Sequence, residues 1–450
     1  MSGVKFLAHS QLHEVLFHFL EGEDVLQYRA IHSMCDAVVQ NYARTHLQDV
    51  LGQDLTPKDN CCPRSIHAGL LFLLLQNGED IKQILTASPV GIRSISPQLV
   101  HEKRDSLFSK AVDIIIAATT PDLARNLICL DFGMTSKDVA EALIALVATP
   151  GNALVSLKAS NKYGNISNDV IQLLANNCPQ LQYLGISWTH IRDDSMKLFA
   201  MNCTQLIALD ASNSLITDAT IMAIAENCRQ LQSLNVSKTR GRITDDSIKL
   251  VATSCLALRS LNVSATQGAI SDVSIQAVAM NCRHLRSLNV GYTLAKVTDA
   301  SIKLIAVNCP ELRSLGLDFT YGRITDESIK LVAANCPQLQ MLEVNNMYGE
   351  VTDESIKDIA EKCPKLQFLD VGNNERITDK SIAVVATNCH RLRFLDVAHT
   401  SVTEKSFKLL AARGLQLLSF HPIKETHSEC WISRSAKIRD RQLEMEDYDS

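Results

Sequence analysis

The chain has 450 residues, 46% of them hydrophobic and 21% charged, and a formal net charge of −5. So small a charge gives no general attraction to nucleic acid or to an anionic membrane, so neither is expected as a partner. The longest purely apolar run, Leu70 to Leu75, falls far short of the roughly 20 residues a bilayer-spanning helix needs. The opening residues MSGVKFLAHSQLHEV also lack the apolar core of a secretory signal.

Residues 1–50 read as a small helical unit. Leu12, Val15, Leu16, Phe19 and Leu20 share one helical face, Glu21-Gly22-Glu23-Asp24 makes a turn, and a second helix is expected to begin near Val25. Residues 51–123 are expected to be a linker and helical N-terminal cap: a turn-rich stretch to Cys62, then helical patterns over Ile66 to Leu75, Ile81 to Leu85 and Leu99 to Ala118.

Repetition governs residues 124–420. Nine times an apolar set at i, i+3, i+4 and i+7 ends in cysteine, as in Ile248, Val251, Ala252 and Cys255. That spacing is one face of a helix. Three residues later comes an L-x-x-L-x-V run such as Leu258-Leu261-Val263, which alternates like a half-buried strand. One helix and one strand every 25 to 27 residues define a solenoid. Leucine pairs from Leu127-Leu130 to Leu415-Leu418 predict twelve strands. Thr-Asp pairs such as Thr244-Asp245 and Thr325-Asp326 stand where helix N-termini want an oxygen acceptor and a negative charge. Asn before the cysteine, as at Asn335, is expected to end the helix in a left-handed conformation. Residues 421–450 carry no repeat and are expected to be a disordered tail.

Of fourteen cysteines, nine occupy the one repeat position, where a thiol packs as a small hydrophobe rather than as half of a disulfide. This usage points to a reducing compartment, so a cytoplasmic or nuclear location is expected.

The repeat C-x-x-L-x-x-L-x-L followed by I-T-D resembles the cysteine-containing leucine-rich repeat. The resemblance implies an α/β solenoid with a curved parallel sheet inside and helices outside. Before it, Leu16-Phe17-His18-Phe19-Leu20, Glu23-Asp24-Val25-Leu26 and Tyr28-Arg29-Ala30-Ile31 resemble the F-box. Ala8-His9 stand where that motif has leucine-proline, and Cys35 falls where it has tryptophan. This resemblance implies docking on the adaptor subunit of a cullin-RING ubiquitin ligase, through Leu12, Leu16, Phe17, Phe19, Leu20, Val25, Leu26 and Ile31. An N-terminal cap with no adaptor role is the alternative for the same residues. A non-ligase scaffold built from the same repeats is the alternative for the whole chain.

The sequence holds no nucleotide-binding, serine-hydrolase or zinc-protease motif, so no catalysis, cofactor or metal is expected. The outward strand positions carry the information instead. Numbering the repeat from the first strand leucine, positions three, five, seven and eight should face the concave side. Position five reads Asn235, Asn262, Asn289, then Glu343, Asp370 and Asp396, predicting an amide ladder and a carboxylate ladder with Asp318 beside it. Asp210 occupies position five further back. Like charges on adjacent strands are unfavourable, so the carboxylates imply either a solvated face or a Lys/Arg-rich segment of a target protein. At position eight and just beyond stand Trp188, Tyr292, Phe319, Tyr321 and Tyr348, which are either interface anchors or loop packing. The residues expected to contact a target are thus Trp188, Asp210, Tyr292, Asp318, Phe319, Glu343, Asp370 and Asp396.

Overall fold

A computed structural model describes residues 166–321, 323–348 and 350–412, with shorter stretches at 66–67, 94–96, 129–131, 154–159 and 419–421 and at 144, 148 and 151. The F-box-like residues and the tail beyond His421 lie outside the described residues. So does most of the span 51–123. The chain divides into two compact units, Met1–Ile270 and Ser271–Ser450.

In the first unit the strands are β1 (Ile66–His67), β2 (Ser94–Ser96), β3 (Cys129–Asp131), β4 (Ser156–Lys158), β5 (Tyr183–Gly185), β6 (Ala208–Asp210), β7 (Ser233–Asn235) and β8 (Ser260–Asn262). They pair in parallel in chain order. Between and after the later strands run helices α1 (Asn168–Asn177), α2 (Asp193–Asn202), α3 (Asp218–Asn227) and α4 (Asp245–Ser254). The second unit continues the alternation with α5 (Asp272–Asn281), β9 (Ser287–Asn289), α6 (Asp299–Asn308), β10 (Ser314–Gly316), α7 (Asp326–Asn335) and β11 (Met341–Glu343). It closes with α8 (Asp353–Lys362), β12 (Phe368–Asp370), α9 (Asp379–Asn388), β13 (Phe394–Asp396), α10 (Glu404–Ala412) and β14 (Ser419–His421). Strands β9 to β14 again pair in parallel, each with the next. This is the leucine-rich-repeat fold.

Each unit's core is the repeat itself. Leu258, Leu261, Val263, Ile248, Val251, Ala252 and Cys255 are all fully buried, and their counterparts from Leu181 to Ile382 are as closed. The short strands leave no room for a period-2 error: a one-residue slip would turn the leucines outward.

Each cysteine follows the last helical residue. Within each unit the thiol points at the preceding repeat's chain: Cys203 Sγ lies 3.4 Å from the Cys178 carbonyl, Cys228 3.5 Å from that of Cys203, and Cys363 3.5 Å from that of Cys336. All nine are buried and free. Burial pushes the thiols of Cys203, Cys228, Cys309, Cys336, Cys363 and Cys389 up to about 12 and that of Cys255 to about 11, so these are poor nucleophiles and poor metal ligands.

Four details depart from the sequence expectations. The strand series reaches back to Ile66, into a stretch expected to be helical, because Ile66 and Ile95 take the register of Leu130. The last strand is not centred on Leu415-Leu418: Phe420 pairs with Leu395, so the core row shifts two residues after the shortened repeat. Asn before cysteine is not left-handed. It is the last helical residue, and its side-chain amide donates back to the carbonyl four residues earlier, as Asn227 does to Ala223 at 2.8 Å and Asn335 to Leu331 at 3.0 Å.

The fourth departure concerns the Asp of the Thr-Asp pair. Thr caps its own helix, as Thr325 Oγ1 does by accepting from Glu327 N at 3.2 Å. The Asp instead accepts from the next repeat's Thr. Asp326 takes the Thr352 N–H at 2.9 Å and its hydroxyl at 2.6 Å, and Asp193, Asp218, Asp272, Asp299, Asp353 and Asp379 repeat this latch. Burial alone would raise the Asp193 carboxyl, but hydrogen bonds from Thr220 and Thr217, with the Lys197 charge, hold it below the ordinary carboxylate value. Asp379 is held low in the same way by Ser406 and Thr403.

Candidate functional site

The face of the sheet away from the helices carries positions three, five and seven, and in the second unit it is acidic. Glu343 on β11, Asp370 on β12 and Asp396 on β13 are in register on successive strands, which lie about 4.8 Å apart. Asp318, one repeat earlier at position seven, accepts the Asn345 N–H at 3.0 Å. Asp370 sits at the centre of this group. Burial, then the charges of Asp318, Asp396 and Glu343, push its carboxyl well above the ordinary value, against a Gly372 N–H that stabilises the ion.

Neutral donors hold the ladder together. Asn345 Nδ2 donates to both Asp370 oxygens, at 3.0 and 3.3 Å, and Asn373 Nδ2 in turn donates to Asn345 Oδ1 at 3.1 Å. Asn289 Nδ2 reaches Glu343 Oε2 at 3.3 Å although a whole strand, β10, stands between them. That reach depends on Gly316. A Cβ at Gly316 would lie 2.4 Å from Asn289 Nδ2 and 2.9 Å from Glu343 Oε2. Gly372 opens a similar gap, since its Cβ would lie 2.8 Å from Asn345 Nδ2.

The expected amide ladder does not form between strands. Asn235 and Asn262 are in register, but each side-chain oxygen accepts the N–H two residues on, from Ser237 and Ser264, both at 3.1 Å. Asp210, Asp370 and Asp396 do the same with Ser212, Gly372 and Ala398. An Asn or Asp at position five therefore turns the chain out of the strand as an Asx-turn, whatever its charge.

That turn leads to a rim where every position-eight residue from Trp188 to His399 has a positive φ of 49° to 62°. Tyr292 and Phe319 stack there with ring centroids 4.4 Å apart, and Tyr321 and Tyr348, at position ten, stack at 5.5 Å. In the first unit Trp188 is 44% exposed and the Lys238 ammonium lies 5.9 Å from its ring centroid, a cation–π contact. The Thr at position nine anchors the loop: Thr189, Thr239, Thr266 and Thr400 donate to the carbonyl three residues back.

Of the target-facing residues expected from sequence, Glu343, Asp370, Asp396 and Asp318 are gathered on one face, and Tyr292 and Phe319 in one stack. Trp188 and Asp210 belong to the first unit. Sequence reasoning passed over Phe368 and Phe394, stacked at 4.1 Å at position three beside the carboxylates. It also passed over Asn345 and Asn373. Their signal was present, since Asn345 at position seven and Asn373 at position eight stand next to the acidic strands in the repeat count. The adaptor-docking residues Leu12 to Ile31 lie outside the described residues. Among the described residues no group of three or more His, Cys, Asp or Glu has a metal-holding arrangement, and no helix is long and apolar enough to cross a membrane.

Comparison with known proteins agrees on the repeat. Residues 362–386 match the family model described as Leucine Rich repeat. No curated protein sequence matches the chain. Among solved structures, the chain is similar to that of Rad7 and Elc1 from yeast, with a TM-score of 0.57 at 18% identity over 90% of this chain and 96% of that one. An internalin from Listeria monocytogenes aligns over 77% of this chain and 78% of its own with a TM-score of 0.37 at 18% identity. Toll-like receptor TLR13 in complex with ssRNA13 aligns over 68% and 41% with a TM-score of 0.40, again at 18% identity. The protein is thus a leucine-rich-repeat protein in fold.

Proposed function

We propose that the chain is the substrate-recognition subunit of a cullin-RING ubiquitin ligase of the SCF type. The F-box-like residues dock on the adaptor subunit, and the acidic sheet face of the second unit holds a target protein rich in Lys or Arg. The chain performs no chemistry; it presents a target lysine to the ligase's catalytic subunits. It works in the cytosol or nucleus, where a row of reduced thiols persists. The observation that carries this reading is the juxtaposition of Glu343, Asp370 and Asp396 in register, a charge arrangement that costs stability unless a cation shares it. The similarity to Rad7, solved together with Elc1, supports a protein-interaction module.

A pull-down with the adaptor tests the ligase half. Wild type should retain it, and Leu16→Asp with Leu20→Asp should release it. Failure of wild type to bind would leave the second reading, a scaffold that uses the same repeats without a ligase. Ala8-His9 and Cys35, which depart from the F-box pattern, favour that second reading.

A further inference from the structure

The rim of the second unit is apolar where the fold does not require it. Position ten carries Leu294, Tyr321 and Tyr348 in three consecutive repeats, and they are 47%, 45% and 58% exposed. Tyr292 and Phe319 at position eight adjoin them, and the rings stack pairwise. All five residues have φ between 53° and 57°. The left-handed conformation costs an ordinary residue about 1–2 kcal/mol, and for a bulky residue it is an outlier. Elsewhere the same rim positions are filled by Asn346, Asn373, Arg240 and Gln267, which take the same backbone without exposing apolar surface. An aromatic strip kept in a strained backbone and facing water points to a partner.

Charge says what kind of partner. On β9 to β13 the sheet-face positions three, five and seven carry Asp318, Glu343, Asp370 and Asp396, and no Lys or Arg. Successive outward positions on a strand are about 7 Å apart. An extended chain crossing from rim to face therefore needs its apolar and cationic side chains within two or three residues of each other.

We propose that Tyr292, Leu294, Phe319, Tyr321 and Tyr348 form the anchoring half of a peptide-docking site. Its ligand is a segment of a partner protein that presents an aromatic or aliphatic side chain next to Lys or Arg. The ring strip supplies affinity by burying the apolar anchor, and the carboxylates supply selection for the cation. This rests on the reading of the repeats as a target-recognition module and is independent of the adaptor.

The probe is a phage library of random dodecamer peptides, selected on the full chain and counter-selected on the full-length Tyr321→Ser/Tyr348→Ser variant. Enriched peptides should carry an apolar side chain within three residues of Lys or Arg. Fluorescence anisotropy of one such peptide should show at least tenfold weaker binding to the Ser variant, and weaker binding in high salt. Tyr321→Phe/Tyr348→Phe, which keeps the rings, should bind as wild type does and confirms that the loss follows the rings and not the fold. No enrichment, acidic consensus peptides, or equal affinity for wild type and the Ser variant would each overturn the proposal. So would rim-dependent self-association in sedimentation, which assigns the strip to a second copy of this chain. Rim-dependent binding of oligo(dT) tighter than any peptide would assign it to stacked bases instead. Adaptor pull-down with the Ser variant should match wild type, so a failed rim and a failed ligase reading are told apart.

Discussion

Gly316→Ala tests whether the empty position on β10 holds the acidic face together. The new methyl would stand 2.4 Å from Asn289 Nδ2 and 2.9 Å from Glu343 Oε2, so it takes the place of their hydrogen bond. The Asn289 side chain must swing aside, which also strains the bond its Oδ1 accepts from Gly291 N–H at 3.1 Å, so the cost is in hydrogen bonds rather than in a backbone clash. A hydrogen bond to a charged group is worth about 1.5–3 kcal/mol. Replacing a strand glycine by alanine returns about 0.5–1 kcal/mol through the unfolded chain. The net expectation is a loss of about 1–2 kcal/mol, local to β9–β11. Because a repeat array opens in sections, amide hydrogen exchange at β9 to β11 is the proper assay, rather than one global melting temperature. Asn289→Ala should cost more than the bridge alone, since it also removes the acceptor of Gly291 N–H, and adding Gly316→Ala to it should cost nothing more. Additive losses in that double-mutant cycle would refute the bridge across β10.

Four further outcomes follow from the backbone and the hydrogen bonds already described. Asp326→Ala removes both acceptors of Thr352 and leaves its N–H unpaired, which should destabilise the α7–α8 junction by about 2–3 kcal/mol, read as faster exchange there while α9 and α10 are unaffected. The Asp370 carboxyl is raised, so its contribution to stability is complete below its unfolded value and is lost as pH rises through its folded one. Asp370→Asn should therefore stabilise β11–β13 at pH 7 and make no difference in acid; denaturant titrations at two pH values decide it, and a variant weaker at pH 7 would contradict the shift. The latch acids work in the opposite sense. Asp193 and Asp379 are held low, so their contribution is present above the unfolded value near 3.8 and vanishes as pH falls through the folded one. Ala295 has a φ of 60° where Gly241 and Gly268 serve the equivalent turns, so Ala295→Gly should gain about 0.5–1 kcal/mol, measured as slower local exchange.

The helix faces and strand leucines were legible because each is decided within a few residues by its own period. The carboxylate ladder was legible for a related reason: a nearly constant repeat length fixes which residues meet in register. The latch was not. Asp326 stands beside Thr325 in the chain, which suggests a shared role at one helix end, while its partner Thr352 is a full repeat away. Nor was the Asn289–Glu343 bridge, because it depends on the absence of a side chain at Gly316. The last strand was misplaced by two residues because the shortened repeat before it breaks the interval on which the register was counted. The stacking of Phe368 on Phe394 was missed because aromatic residues were sought at the rim and not at position three.

The cysteine row gives the protein a set of built-in position markers. All nine thiols are buried, and burial suppresses the acidity of the seven from Cys203 to Cys255 and Cys309 to Cys389 to a similar degree, so in the closed state they should resist alkylation alike. A thiol becomes reactive only when its repeat parts from its neighbour. Timed alkylation followed by peptide mass mapping would therefore yield a separate opening rate for each of nine places along the chain, with no label introduced. The order in which Cys178 to Cys389 react would show where the array comes apart first, and whether a bound partner holds its own repeats shut.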